Sequence, residues 1–195
     1  RTLTQQPDNI PALYQLAIIE EKLGNTAVTE SILKKIVELA PGEARALSSL
    51  ARFYTEHHYY VESIDCLKRM VKLDPSDIDT QLELATSLSN MGLPDQALQA
   101  FEAARELDSA AESGRLGRAH TLRSLGRSTE AVEAYQQCIA ENSGGAAPWW
   151  GLASLRTYSF SEDELRKMRS VKTSSVLDKA YLDFAMGKAL DDRGE

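Results

Sequence analysis

The sequence predicts an all-α protein, a solenoid of antiparallel helix pairs. Alanine recurs every 34 residues at Ala17, Ala51, Ala85, Ala119 and Ala153, and the small-residue series continues to Gly187. In the same register, glycine recurs at Gly24, Gly92, Gly126 and Gly194, and proline recurs at Pro7, Pro41 and Pro75. A fixed period of this length with these residue types is typical of stacked helix–turn–helix repeats, in which each unit packs only on its neighbours.

The first helix of each unit carries one apolar stripe around its alanine. In the second unit the i, i+3, i+4, i+7 spacing of a buried helix face is formed by Leu47, Leu50, Ala51 and Tyr54. The small alanine lets two helix backbones approach closely, so we expect it at a helix–helix contact. Seven residues later comes a turn glycine such as Gly92, because glycine readily takes the left-handed conformation that ends a helix.

The second helix of each unit is also amphipathic. Its apolar residues recur at helical spacing, as in Ile64, Leu67, Met70 and Val71. Pro75 then ends the helix, because proline cannot continue the hydrogen-bond ladder. The pattern varies between units: His58 replaces the turn glycine in the second, and Ser109 and Ser143 replace the terminal proline in later ones.

The third unit matches a known pattern well, with Leu84-Ala85, then Gly92-Leu93-Pro94-Asp95-Gln96-Ala97, then Phe101. These residues resemble the tetratricopeptide repeat, whose period is 34 residues. The resemblance covers four complete units, from about Ile10 to Ser143, although Arg118 stands where leucine is usual. It implies a right-handed superhelix whose first helices line a concave, partner-binding surface.

We expect two segments. Residues 1–143 hold four units and the tail end of a preceding one, and residues 144–195 hold a degenerate fifth unit and the first helix of a sixth. In the second segment, Ser161 and Glu164 predict a capping box and a short helix from Glu162. A further helix is expected over about Val176 to Arg193.

The last fifty residues carry a more specific pattern. Its matching residues are Trp149, Leu152, Ala153, Leu155, Arg156, Thr157, Phe160, Ser161, Met168, Phe184–Leu190, Asp192, Arg193 and Gly194. This stretch resembles the junction of bacterial proteins that join tetratricopeptide repeats to a C-terminal sulfotransferase domain. The resemblance implies a parent enzyme that uses 3′-phosphoadenosine-5′-phosphosulfate, with its phosphate loop and catalytic base beyond Glu195. Because the chain begins at Arg1 and stops inside a unit, we expect a fragment of a longer protein.

Composition restricts the class of partner. The chain has 195 residues, 43% of them hydrophobic and 26% charged, and a formal net charge of −7. The negative charge argues against nucleic acid or an anionic membrane as partner, and no apolar run approaches the ~18 residues of a membrane span. Cys66 and Cys138 fall on second helices, 72 residues apart, and are predicted to be small buried hydrophobes rather than a disulfide or metal site. We therefore expect a cytoplasmic protein.

No catalytic or metal-binding constellation is predicted within the chain. Ser143-Gly144-Gly145 lacks the strand, spacing and lysine of a phosphate-binding loop. The pair His57-His58 occupies an inter-helix turn, and His120 lies on a helix face without an identifiable nucleophile beside it. The sequence thus predicts a non-enzymatic chain that itself holds no cofactor.

The predicted binding surface lies on the first helices. Counting from each alanine selects the groove-facing residues Tyr14, Gln15, Ile18, Lys22, Ser49, Arg52, Glu56, Glu83, Thr86, Asn90, His120, Arg123 and Trp150, with Gly117 in the same set of positions. Arginine forks and aromatic rings suit an extended peptide or protein with some acidic character. Arrays that grip chaperone carboxyl tails use groove asparagines with lysines and an arginine, and Gln15, Ser49 and Glu83 do not reproduce that set.

The fourth unit presents four arginines, Arg115, Arg118, Arg123 and Arg127. One interpretation is a patch for an acidic partner. The alternative is that their stems pack on the surface and pair with acids such as Glu102, Glu106 or Glu112.

Two functional hypotheses are compatible: a protein-interaction scaffold, and the non-catalytic N-terminal arm of a sulfotransferase-like protein. The alternative is a purely structural or oligomerising array.

Overall fold

The computed structural model describes residues 6–108, 112–141, 145–173 and 175–194, without the side chains of residues 112 and 113. Within these ranges the backbone forms eleven α-helices and no strand, so the predicted all-α class is confirmed. In chain order the helices are α1 (Ile10–Lys22), α2 (Thr26–Leu39), α3 (Ala44–Glu56), α4 (Tyr60–Leu73), α5 (Ile78–Asn90), α6 (Pro94–Leu107), α7 (Glu112–Ser124), α8 (Ser128–Ala140), α9 (Ala147–Ala153), α10 (Glu162–Ser170) and α11 (Val176–Asp191).

The chain divides into two compact units, each larger than one 34-residue repeat: the first unit runs up to Met91 and the second unit from Gly92. In the first unit each helix packs on the next, from α1 to α5. Its core is closed by fully buried side chains, among them Ile36, Leu47, Phe53 and Leu67. Burial of these apolar faces, rather than helix propensity, holds such short helices together.

In the second unit α6 packs on α7, α7 on α8, and α8 on α9. Helix α9 also contacts α7 and α11, and α10 contacts α11. One hydrophobic cluster runs through the unit and includes the fully buried Leu122, Tyr135 and Leu152. None of the described helices in either unit is long and apolar enough to cross a bilayer.

The alanine register predicts the helix contacts correctly up to the fifth position. Ala17, Ala51, Ala85, Ala119 and Ala153 are all at most 4% exposed. The extension of the series to Gly187 is wrong, because Gly187 is exposed and a Cβ atom placed there would meet nothing within 4 Å. Helix α11 instead buries Ala185 and Ala189 in the hydrophobic cluster, so its contact face is rotated away from the repeat register.

The turns between consecutive helices have the predicted left-handed residue. Gly24, Gly92 and Gly126 have φ values of 75°, 70° and 72°. The same geometry is kept at His58, with φ of 62°, although histidine lacks the freedom of glycine. The repeat therefore imposes the turn even where the sequence does not favour it.

The helix ends agree with the sequence where they are described. Helices α2 and α4 end two residues before Pro41 and Pro75. Ser109, Ser143 and Gly144 lie outside the described residues, as do the proposed boundary between residues 143 and 144 and the side chain of Glu112.

The fifth repeat, which lies in the second compact unit, lacks a regular second helix, as predicted. Helix α9 ends at Ala153, and α10 begins at Glu162 after the Ser161–Glu164 capping box. Both reciprocal capping bonds are present: Ser161 Oγ accepts from the Glu164 backbone N–H at 3.3 Å, and Glu164 Oε2 accepts from the Ser161 backbone N–H at 2.8 Å. The expected last helix is also present, as α11.

Candidate functional site

The first unit places most of the predicted groove residues on its surface. Gln15, Lys22, Glu56, Glu83, Thr86 and Asn90 are exposed, Ser49 is half-buried, and Ile18 is 42% exposed. The Thr86 hydroxyl donates to the Leu82 carbonyl at 2.8 Å, so its donor is used within the helix.

Tyr14 lies beneath this surface rather than on it. The side chain is 7% exposed, and its ring is covered by Arg45, whose Cζ lies 4.6 Å from the ring centroid. Burial and the nearby Glu43 raise the pKa of Tyr14. A partner on this surface would meet the Arg45 guanidinium before the Tyr14 ring.

The Arg52 guanidinium is already shared between two carboxylates. Its Nη1 lies 2.8 Å from Glu56 Oε1 and 3.4 Å from Glu21 Oε1. Hydrogen bonding to Glu56 raises the pKa of Arg52. An incoming carboxylate would have to displace these internal partners.

The surroundings of Glu83 disfavour its charged form, whereas those of Arg52 favour the charged form. Partial removal from water, and then the charge of Asp77, raise the pKa of its exposed carboxyl group. Glu83 has no ion pair within the described ranges, and a partner carboxylate would be repelled there. Arg52 and Glu83 therefore offer little to attract an anion.

The second unit brings four aromatic rings together from four different helices. The His120 ring on α7 lies 5.5 Å from the Tyr135 ring on α8 and 5.9 Å from the Trp150 ring on α9, between centroids. The Trp150 ring in turn lies 5.3 Å from the Tyr181 ring on α11. We call these four residues the aromatic cluster. Trp150, His120 and Tyr181 are half-buried, and Tyr135 is fully buried.

Arg123 completes the site. Its Cζ lies 5.1 Å from the centroid of the Trp150 ring, which is a cation–π distance. Three side-chain atoms at this place are buried without a hydrogen-bond partner in the described protein: Arg123 Nε, His120 Nε2 and Tyr135 Oη. Polar atoms buried in this way are rare in folded proteins, so their grouping marks this place as unusual.

The electrostatics of the cluster are dominated by burial. Burial, and then the charge of Arg123, lower the pKa of His120, so its imidazole is neutral at pH 7. Burial also raises the pKa of Tyr135 to about 12, and Arg123 opposes that shift. Arg123 is close enough to act on the Tyr135 hydroxyl, but no hydrogen bond of good geometry joins them.

The remaining arginines of the predicted basic face are paired. Arg118 Nε lies 2.6 Å from Glu102 Oε1, Arg127 Nη2 lies 2.5 Å from Glu130 Oε2, and Arg115 pairs with Glu141. Pairing with internal acids is therefore the correct interpretation for these three residues. It does not extend to Arg123, which has no ion pair among the residues that the structure describes.

In the second unit aromatic rings lie directly against two glycines, and we did not predict these contacts from the sequence. A Cβ atom at Gly151 would lie 2.3 Å from Tyr135 Cε1, and one at Gly117 would lie 2.5 Å from Phe101 Cζ. The prediction that Gly117 faces the groove is wrong, because the Phe101 ring covers it. The signal was present, since in both cases the glycine follows the aromatic residue by sixteen positions.

The described residues hold no group of three His, Cys, Asp or Glu side chains that could bind a metal ion. Cys66 and Cys138 are both buried, as predicted, and neither forms a disulfide among the described residues. A surface groove of about 520 Å³ in the first unit is lined by apolar residues of α2–α4 and rimmed by charges of both signs, namely Val37, Leu50, Tyr54, Val61, Cys66, Lys34, Glu38, Glu62, Asp65 and Arg69.

Comparison with known proteins agrees with this architecture. Residues 82–147, about a third of the chain, match the tetratricopeptide repeat family model. The chain is similar to the crystal structure of MamA, with TM-score 0.68 and 16% identity over 95% of this chain and 92% of that one. It is also similar to YrrB, described as a tetratricopeptide-repeat protein with an unusual peptide-binding site, with TM-score 0.68 and 17% identity over 100% of this chain and 96% of that one. No curated protein sequence matches the chain. The chain therefore has the fold of a tetratricopeptide-repeat solenoid, and residues 82–147 carry the repeat at the level of sequence.

Proposed function

We propose that this chain is a non-catalytic scaffold that binds a protein or an extended peptide on its first helices. The observation that carries the proposal is the aromatic cluster with Arg123 in the second unit. Half-buried tryptophan, tyrosine and arginine side chains are the residue types that dominate binding energy at protein interfaces. The likeness to YrrB, whose description includes a peptide-binding site, supports the same class of function.

The predicted groove residues of the first unit have a secondary role in this proposal. Gln15, Lys22, Asn90 and Thr86 are exposed polar side chains on the first unit, a type that contributes modest energy to binding. The anchor lies at Trp150. We propose that the array of residues 1–143 binds the partner together with Trp150 and Tyr181 of the junction segment 144–195.

The test is selection of binding peptides. A displayed library of random dodecapeptides is panned against the immobilised chain, and the affinity of enriched peptides is measured by calorimetry. We expect Trp150→Ala to weaken binding at least about ten-fold, since it removes a central aromatic anchor. Tyr59→Ala is the matched control, because it removes an aromatic side chain that is 47% exposed at the α3–α4 turn. Equal loss in both variants, or none in either, contradicts the proposed surface.

We further propose that the chain is the N-terminal arm of a sulfotransferase-like protein. Support comes from the junction, where Phe160 and Met168 of the pattern pack together with Leu165. Phe160, Leu165 and Met168 are buried in the hydrophobic cluster of the second unit, and Lys188 Nζ donates to the Tyr158 carbonyl at 2.8 Å.

The coding sequence downstream of Glu195 tests this second proposal. We expect a strand followed by a phosphate-binding loop, and binding of 3′-phosphoadenosine-5′-phosphosulfate by the longer protein. An unrelated downstream sequence, or a stop codon at this point, would reject the arm and leave the scaffold standing.

A further inference from the structure

The sequence predicts two groove arginines, Arg52 and Arg123, and the structure gives them different surroundings. Arg52 lies between Glu21 and Glu56, so its charge is neutralised within the protein. Arg123 faces aromatic rings and has no ion pair among the described residues. Cation–π contact with Trp150 stabilises a guanidinium but does not neutralise it. Arg123 therefore carries a positive charge that an external group is free to compensate.

The groups behind Arg123 have the same unmet requirement. Tyr135 Oη and Arg123 Nε are buried and have no hydrogen-bond partner among the described residues, and both atoms can donate a hydrogen bond. His120 Nε2 is also unpartnered, and its ring is neutral because burial and Arg123 disfavour the imidazolium. Because these atoms are buried, an external acceptor would reach the group through the half-buried Arg123 side chain.

We infer that Arg123, backed by Tyr135 and His120 and flanked by Trp150, binds a carboxylate of the peptide partner. A carboxylate matches the planar fork of a guanidinium and forms the charge-assisted hydrogen bonds that are strongest in proteins. The Trp150 and Tyr181 rings beside it offer an apolar surface for the neighbouring residue of the peptide. This inference rests on the proposed scaffold function and names the ligand chemistry of the same site.

The carboxylate has two possible sources, an Asp or Glu side chain or the C-terminus of the partner. Two dodecapeptide libraries separate them: one displayed with internal random residues and a blocked C-terminus, the other with a free C-terminus. The most enriched peptide of each is then synthesised as acid and as matched amide, with Glu→Gln or Asp→Asn, or with a C-terminal carboxamide. Calorimetry gives the ratio of the acid and amide dissociation constants.

We expect the wild-type chain to prefer the acid by on the order of ten-fold. Arg123→Gln should bring the ratio close to one while the amide peptide still binds. The matched control is Arg105→Gln, which removes an exposed arginine that pairs with Glu102 on α6, outside the predicted binding surface, and should leave the ratio unchanged. Arg123→Lys keeps the charge without the fork and should reduce the ratio only partly.

The outcomes distinguish this inference from the proposed function. Peptides that bind with equal acid and amide affinities overturn the carboxylate site and leave the scaffold intact. Loss of the preference in Arg105→Gln but not in Arg123→Gln also overturns it. Failure of both libraries to yield any binding peptide overturns the scaffold and this inference together. The wild-type ratio does not depend on any variant folding.

Discussion

Gly151 lies so close to Tyr135 that a Cβ atom on it would sit 2.3 Å from Cε1 of the ring. The same relationship joins Gly117 to Phe101 one repeat earlier. In each case the aromatic ring of a second helix lies against the backbone of the next first helix. The absence of a side chain at the glycine makes this contact possible. At Tyr135 it also fixes the ring that underlies Arg123.

We therefore predict that Gly151→Ala destabilises the protein. The alanine methyl group would overlap a ring that is fully buried and has no free space to enter. Overpacking of this kind costs about 1–3 kcal/mol, and the gain in helix propensity from glycine to alanine, about 1 kcal/mol, does not offset the upper part of that range. Urea unfolding followed by circular dichroism measures the difference.

Gly187→Ala is the matched control, with the opposite expected sign. Gly187 lies inside α11, is exposed, and has open space where a methyl group would go. The substitution should increase the free energy of unfolding by about 0.5–1 kcal/mol. If both variants shift stability in the same direction, the placement of the Tyr135 ring is wrong.

The sequence predicted the fold well because the repeat expresses each structural requirement several times. Ala51 and Ala119 are buried because two helices meet there, and one such position in every unit makes the pattern easy to detect. Gly187 broke the rule because α11 packs through Ala185 and Ala189 instead. The residue type in register is the same, but the contact face is set by the neighbours.

The candidate site was predicted less well, because it depends on which side chains neutralise each other. Arg52 and Arg123 both fall at predicted groove positions, and the sequence does not distinguish their surroundings. Only the structure shows that Glu21 of the preceding repeat lies beside Arg52. Only the structure shows that Trp150 of the following repeat lies beside Arg123. Such partners lie about one period away along the chain, and long flexible side chains can choose among several of them.

A second prediction concerns the turn at His58, where a non-glycine residue has φ of 62°. Left-handed backbone is unfavourable for residues with a Cβ by roughly 1–2 kcal/mol. Glycine removes this strain, but it also gains freedom in the unfolded chain and loses the His58–Tyr60 hydrogen bond. Because these two effects offset part of the gain, we expect His58→Gly to raise the free energy of unfolding by only about 0.5–1 kcal/mol. His57→Gly, with φ of −97°, is the control and should not stabilise. Thermal unfolding of both variants decides the matter.

A third prediction concerns the pH dependence of stability. The folded pKa of His120 is lowered, so it lies below the value of about 6.5 expected in the unfolded chain. Well above pH 6.5 neither state binds this proton. As the pH falls through that value toward the folded pKa, only the unfolded state binds it, and stability is lost. His120→Gln should therefore lose less stability than the wild type between pH 7.5 and about 5.5 in urea titrations. Identical pH profiles would place His120 in solvent.

The buried thiol of Cys66 provides a fourth prediction. Burial, and then Asp65, raise its pKa to about 11, with Arg69 opposing the shift. At pH 8 such a thiol is only ~0.1% thiolate, whereas an ordinary thiol with pKa of about 8.5 is ~20% thiolate. Because the thiolate is the reactive form, Cys66 in a Cys138→Ala background should react with a disulfide reagent at least about 100-fold more slowly when folded than in urea.

The control for Cys66 is a thiol on the exposed surface of the same unit. Ser48 is exposed on α3, so Ser48→Cys in a background lacking both natural cysteines should react at nearly the same rate folded and unfolded. A folded Cys66 that reacts within ten-fold of this control would mean that the contact between α3 and α4 opens readily in solution. Protection of Cys66 alone instead shows that the repeat interface stays closed on the timescale of the reaction.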